Sequence, residues 1–249
     1  MNPLDIYRAI ESGELLLIDL SHELSNNMPI YPGDPPFIHE YVSVGRRYGD
    51  VTLSKVSMGL HSGTHIDMPL HFQPGGLSVD KFPISRFINY SIALDLSYKR
   101  PGEAISRVDL ERFKDRVRKG MGVLIYTGFS SRWGSEEFLY NWPYLTKDAA
   151  DYLVERGVSL VGVEGLSVAG FPGKEGYPYP ARVSRDEVVY VHYRLLSSGI
   201  LIIEGLTNLD RVVKECKDSE ALIFSVPLNI AGAEAGQARV FAVCQPASK

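Results

Sequence analysis

His61-Ser62-Gly63-Thr64-His65-Ile66-Asp67-Met68-Pro69-Leu70-His71-Phe72 holds half of the chain's six histidines together with one aspartate. The four polar residues His61, His65, Asp67 and His71 all occupy odd-numbered positions. Wherever the run is extended, alternation therefore sends their side chains to one face. A helix would not do this, because at about 100° per residue steps of four, two and four turn Asp67 away from the histidines. Gly63 and Pro69 also disfavour a helix interior, and Thr64 prefers a strand. Taken singly, His61 or His65 could be an ordinary core or surface residue. Two imidazoles and a carboxylate together form a partial ligand set for a divalent metal, and a site with three protein ligands leaves a position for water. Nitrogen and oxygen donors without thiolate suit zinc, manganese or iron.

The 249 residues are enough to bury a core as a single domain, expected to span 1–249. With 45% hydrophobic and 22% charged residues the chain reads as a globular enzyme rather than a disordered or fibrous protein. A net charge of −4 offers no general attraction for nucleic acid or anionic membranes, so neither is expected as a partner. The longest apolar runs, such as Leu15 to Ile18 and Ile200 to Ile203, fall far short of the roughly 20 residues a bilayer requires. Met1 to Glu14 has no apolar signal region, which makes the cytoplasm the expected location. Cys216 and Cys244 lack C-x-x-C spacing and read as two ordinary thiols.

Residues 3–12 suit a helix ending near Gly13, followed by a strand at Leu15 to Leu20. Met28 to Pro36 carries four prolines and a glycine and must be a stiff loop, either a pocket wall or a plain connection. Ser106 to Asp109 resembles a capping box, with Leu110, Phe113 and Val117 at helical spacing before Gly120. A strand at Val123 to Tyr126, a helix capped by Thr146 and stopped by Gly157, and a strand at Val158 to Val163 give a helix–strand alternation. Further strands are predicted at Glu187 to Val191, Ile200 to Ile203, Ala221 to Val226 and Arg239 to Val243. Gly170 to Pro180 reads as a long surface loop, with a lid over a site as the alternative. His192 and Glu204 each end a strand-like run. Glu204 is either a metal ligand or an exposed strand end, since a carboxylate buried without a partner is costly.

The 61–72 run resembles the signature of the cyclase family of metal-dependent hydrolases, whose best-known members are bacterial kynurenine formamidases. The likeness continues through Asp19-Leu20-Ser21, Met28 to Asp34, Val161 to Val168, His192 to Leu196 with Glu204-Gly205-Leu206, and Pro227 to Ile230 with Ala231 to Glu234. It implies an α/β fold of the swivelling β/β/α type, with a mixed barrel-like sheet packed with helices. By the same resemblance His61, His65 and Asp67 hold a first metal, Asp67 reaches a second, and His192 and Glu204 complete that second position. His71 is the implied acid–base residue, and Tyr31 stands where formamidases carry a pocket-lining Trp. Glu164 stands where relatives usually have Asp. The implied cofactor is Zn²⁺ or Mn²⁺, one or two ions, and the implied assembly is a homodimer or homotetramer.

The function implied is hydrolysis of a small amide, such as the arylformamide N-formylkynurenine, by metal-activated water with His71 moving the proton. Opening of a cyclic amide or lactone, as in isatin hydrolases, is the alternative reading; a non-catalytic metal- or ligand-binding module of the same fold is a third. A serine hydrolase has no G-x-S-x-G elbow here, and a dinucleotide enzyme no G-x-G-x-x-G.

Overall fold

The computed structural model describes residues 2–247. Its strands in chain order are β1 (Leu16–Asp19), β2 (Ile38–Ser43), β3 (Leu53–Ser57), β4 (His65–Asp67), β5 (Ile88–Asp95), β6 (Ala104–Ile105), β7 (Gly122–Tyr126), β8 (Tyr144–Leu145), β9 (Leu160–Val163), β10 (Leu201–Glu204), β11 (Glu220–Phe224), β12 (Ala235–Gln237) and β13 (Phe241–Cys244). The α-helices are α1 (Pro3–Ser12), α2 (Arg107–Glu111), α3 (Lys147–Arg156), α4 (Arg185–Ser197) and α5 (Leu209–Glu215). Nine strands make one sheet in the order β1-β13-β11-β5-β7-β9-β10-β4-β12. It curls into a half-barrel packed with helices, as the α/β, barrel-like expectation required.

The centre of this sheet is parallel, β5 to β7 to β9 to β10, and both flanks are antiparallel. Parallel strands need crossovers that cover the sheet, and α3 and α4 provide them after β7 and β9. All four residues of β9 and all four of β10 are buried, as strands covered on both faces should be. On one side Val161 and Ile202 pack with Leu153, Val188, Val191 and Leu195 of the crossover helices. On the other, Leu160, Leu201 and Ile203 pack with Ile66, Met68 and Val212. A separate aromatic cluster of Phe129, Phe138, Trp142 and Phe171 sits beside the site, with Tyr31 against it. No helix among the described residues is long and apolar enough to cross a membrane.

Three expectations are corrected. Glu187 to Val191 is not a strand but the first half of α4. Its β-branched and aromatic residues favour a strand locally, yet Ser184 and Glu187 form a reciprocal capping box, with the Glu187 amide donating to Ser184 Oγ at 3.2 Å and the Ser184 amide to Glu187 Oε2 at 2.9 Å. Val188, Val191, His192, Leu195 and Leu196 then form one buried stripe at helical spacing. The helix after Ser106 ends at Glu111, and the chain continues to Val117 through hydrogen-bonded turns rather than a long helix. Cys216 and Cys244 are joined in a disulfide, with Cα atoms 5.6 Å apart. Twenty-eight residues separate them in sequence, but the Lys217 amide donates to the Gln245 carbonyl at 2.8 Å, so the end of α5 lies directly beside the end of β13.

Candidate metal centre

β4 lies between β10 and β12, with His65 opposite Glu204 and Asp67 opposite Ile202. Residues two apart on a strand share a face, and directly opposed residues on antiparallel strands share it too. His65, Asp67 and Glu204 therefore project together, while Ile66 points into the core on the other side. The run is extended only over 65–67. His61 comes from the preceding turn and His71 from the single 3-10 turn Pro69–His71, so the four side chains converge through two turns flanking a short strand. The first turn is tied to the end of β10: Thr64 Oγ1 donates to the Gly205 carbonyl at 2.6 Å. Gly205 has a φ of +67°, and a Cβ there would lie 2.7 Å from the Gly63 carbonyl oxygen. Only glycine allows this approach.

α4 brings His192 to the same face. Its Nδ1 donates to the Val188 carbonyl at 2.8 Å, which leaves Nε2 with a lone pair 3.4 Å from Glu204 Oε1 and 3.3 Å from Ser167 Oγ. His65 is oriented in the same manner, with Nδ1 donating to the Gly63 carbonyl at 2.9 Å. Its Nε2 then faces His61 Nδ1 at 3.2 Å, Asp67 Oδ1 at 3.4 Å and Glu204 Oε2 at 3.5 Å. A ring nitrogen fixed by a backbone carbonyl while the other faces acceptors is the arrangement that orients metal-binding histidines.

Acceptors directed at one another repel unless a cation lies among them. Asp67 is fully buried, and neither of its carboxylate oxygens has a hydrogen-bond donor among the described residues, although Oδ1 is 2.9 Å from His61 Nδ1. A buried carboxylate without compensation is expensive. The donor atoms fall into two sets, His61 with His65 and Asp67, and Asp67 with His192 and Glu204, each within 4.8 Å. These residues fit divalent ions, with Asp67 common to both sets.

Electrostatics follow the same crowding. Burial opposes charge on His61, but Asp67, Glu234 and Glu204 outweigh it and push the imidazole up to about 10. His65 is likewise pushed up to about 9 against burial by Asp67 and Glu204. Burial would raise Asp67, yet the histidines around it hold it well below the usual carboxylate range. His71 differs: burial dominates and lowers it to about 4, leaving a neutral ring 4.0 Å from that of His61.

A cavity of about 300 Å³ opens onto this cluster. His61, His71, His192 and Glu204 line it, and so does Tyr31, whose phenol burial pushes up to about 12. Asp34, Phe72, Ser167, Arg185 and Glu234 also line it and were not singled out by sequence reasoning. Glu234 lies 3.6 Å from His61 Nε2, and Phe72 stacks on His192 at 4.4 Å. The stiff loop through Tyr31 and Asp34 is thus a pocket wall. Glu164 belongs to neither donor set. It accepts from the Thr127 amide and hydroxyl at 2.7 Å, the Phe129 amide at 3.2 Å and Ser130 Oγ at 2.6 Å, and so anchors the turn beneath the aromatic cluster.

The model of the family described as "Putative cyclase" matches residues 18–169. The chain belongs to the cyclase family. A kynurenine formamidase of Bacillus cereus is 32% identical over 230 residues, covering 92% of this chain and 97% of that protein. Among solved structures, isatin hydrolase A from Ralstonia solanacearum superposes with a TM-score of 0.81 at 25% identity, covering 98% of each chain. A predicted metal-dependent hydrolase from Bacillus stearothermophilus gives a TM-score of 0.70 at 25% identity over 92% of this chain and 98% of its own. The cyclase-family assignment and the buried donor sets agree on a metal-dependent hydrolase.

Proposed function

We propose that the chain hydrolyses a small amide, an arylformamide such as N-formylkynurenine, with one or two divalent ions, Zn²⁺ or Mn²⁺, held by His61, His65, Asp67, His192 and Glu204. The observation that carries this reading is the pair of donor sets sharing Asp67 at the floor of a cavity that also exposes a neutral His71. When bound, such an ion supplies Lewis acidity, bringing the pKa of water from about 15.7 to near 7 and polarising a carbonyl oxygen.

The side chains supply the remainder. Tyr31, Phe72, Leu166 and Val188 give the cavity an apolar wall that holds an aryl group and excludes water from it. Tyr31 rests against Trp142 and Phe171 at ring separations of 6.0 and 6.1 Å, which fixes the wall in place. His71 takes a proton from the attacking water and returns it to the amide nitrogen as the C–N bond breaks, so that a neutral arylamine and formic acid leave, the acid then releasing the second water proton to solvent as formate. The Val188 carbonyl, which accepts from His192 Nδ1, keeps that ring oriented with Nε2 toward the donor cluster.

The likeness to isatin hydrolase A supports a second reading, in which the same groups open a cyclic amide. The two are separated by a substrate panel of N-formylkynurenine, simple formanilides and isatin, run before and after chelation. Hydrolysis of a formamide that chelation abolishes and added Zn²⁺ or Mn²⁺ restores is the expected result. Preference for isatin would select the second reading. Inertness toward the whole panel at full metal occupancy would favour a binding module and overturn both.

A further inference from the structure

The cavity carries a charge that amide hydrolysis does not use. Its lining includes the carboxylates Asp34, Glu204 and Glu234 and one permanent cation, Arg185. Arg185 is the first residue of α4, and Val188 and His192 follow it by three and seven positions, so all three lie on one stripe of the helix. That stripe faces the cavity, because all three residues line it. Ser184 and Glu187 are engaged with each other in the helix cap, and Arg194 pairs with Asp151. The Arg185 side chain enters no hydrogen bond or ion pair with any described residue, although Asp34 and Glu234 border the same space.

At about 300 Å³ the cavity is at the small end for ligand sites, enough for one ring with a short side chain. His71 and Arg185 both line it, so a molecule that fills it meets both. A guanidinium presents a planar fork of donors that matches a carboxylate with two parallel hydrogen bonds, and it is not neutralised at any working pH.

We infer that Arg185 is a specificity residue that pairs with a carboxylate on the substrate, on a part of the molecule other than the scissile amide. The arylformamide already proposed, N-formylkynurenine, carries such a carboxylate, and Arg185 is the residue assigned to it. The amide part rests on the reading under Proposed function; the pairing with Arg185 does not require turnover. Because Arg185 is exposed, solvent screens the pair, and its loss should cost about tenfold in affinity rather than abolish binding.

The test is calorimetric binding of two probes to the Zn²⁺-loaded chain. L-kynurenine carries the carboxylate; 2-aminoacetophenone shares the aryl amine and ketone and lacks it. Arg185→Gln should weaken L-kynurenine about tenfold and leave 2-aminoacetophenone within twofold, with Arg185→Lys intermediate. An L-kynurenine affinity unchanged in Arg185→Gln, no binding of L-kynurenine by the wild-type chain, or equal weakening of both probes would each overturn the pairing; the last would mark a structural role. Arg185-dependent binding alongside inertness toward every amide would overturn the amidase reading alone.

Discussion

The ligand seam between β4 and β10 and the rim of the cavity above it are built on opposite principles. In the seam His65, Asp67 and Glu204 are placed by register, with His65 facing Glu204 across one strand pair and Asp67 two residues on, and backbone carbonyls fix the rings of His65 and His192. At the rim, Tyr31 and Asp34 come from a proline-rich loop, Arg185 from a helix end and Glu234 from the turn before β12, each half-buried or exposed. The seam can hold charge because nothing in it can relax. The rim can be altered without disturbing the sheet. Chemistry should therefore depend on the seam and substrate choice on the rim.

The largest effect is expected where the two meet. His71 lies just past the seam and lines the cavity without belonging to either donor set. His71→Gln should lower turnover about 10²–10⁴-fold while metal content, read by elemental analysis, stays at the wild-type level. Parallel loss of metal would make His71 a ligand and move it into the seam. Gly205→Ala tests the seam through a residue that binds nothing. A methyl group there meets the Gly63 carbonyl at a left-handed backbone position, so the turn bearing His61 must shift. Denaturant unfolding should show a loss of about 2–4 kcal/mol, combining backbone strain with overpacking. A variant as stable as wild type would show that the turn is more yielding than its contacts suggest. Arg185→Gln, a rim change, should have the smallest effect, a tenfold loss confined to anionic ligands.

The same contrast governs what could be read from sequence. His61, His65 and Asp67 are legible because seven residues of chain hold all three. Glu204 is legible as a strand end with an unexplained charge. His192 is expected at the end of a strand and stands instead on α4, because Val188-Val189-Tyr190-Val191 has strand propensity and only the Ser184–Glu187 cap and the buried stripe reveal a helix. Asp34 and Glu234 fall in stretches that resemble the family but gain a role only where distant loops meet at the rim, and Arg185 left no local signal. The Cys216–Cys244 bond was missed for the same reason: spacing rules see short-range motifs, not the adjacency of α5 and β13. Glu164 was a visible departure from the family pattern, and its effect falls on the turn at 127–130 rather than on the donor atoms.

Titration of the chelator-stripped chain with Zn²⁺ or Mn²⁺, followed by calorimetry beside a folded Asp67→Asn variant, tests the shared donor sets most directly. The wild-type chain should saturate at one or two ions, and Asp67→Asn should lose most of that affinity because its carboxylate serves both sets. A wild-type chain that takes up no ion, or an Asp67→Asn variant that binds as tightly, would contradict the account.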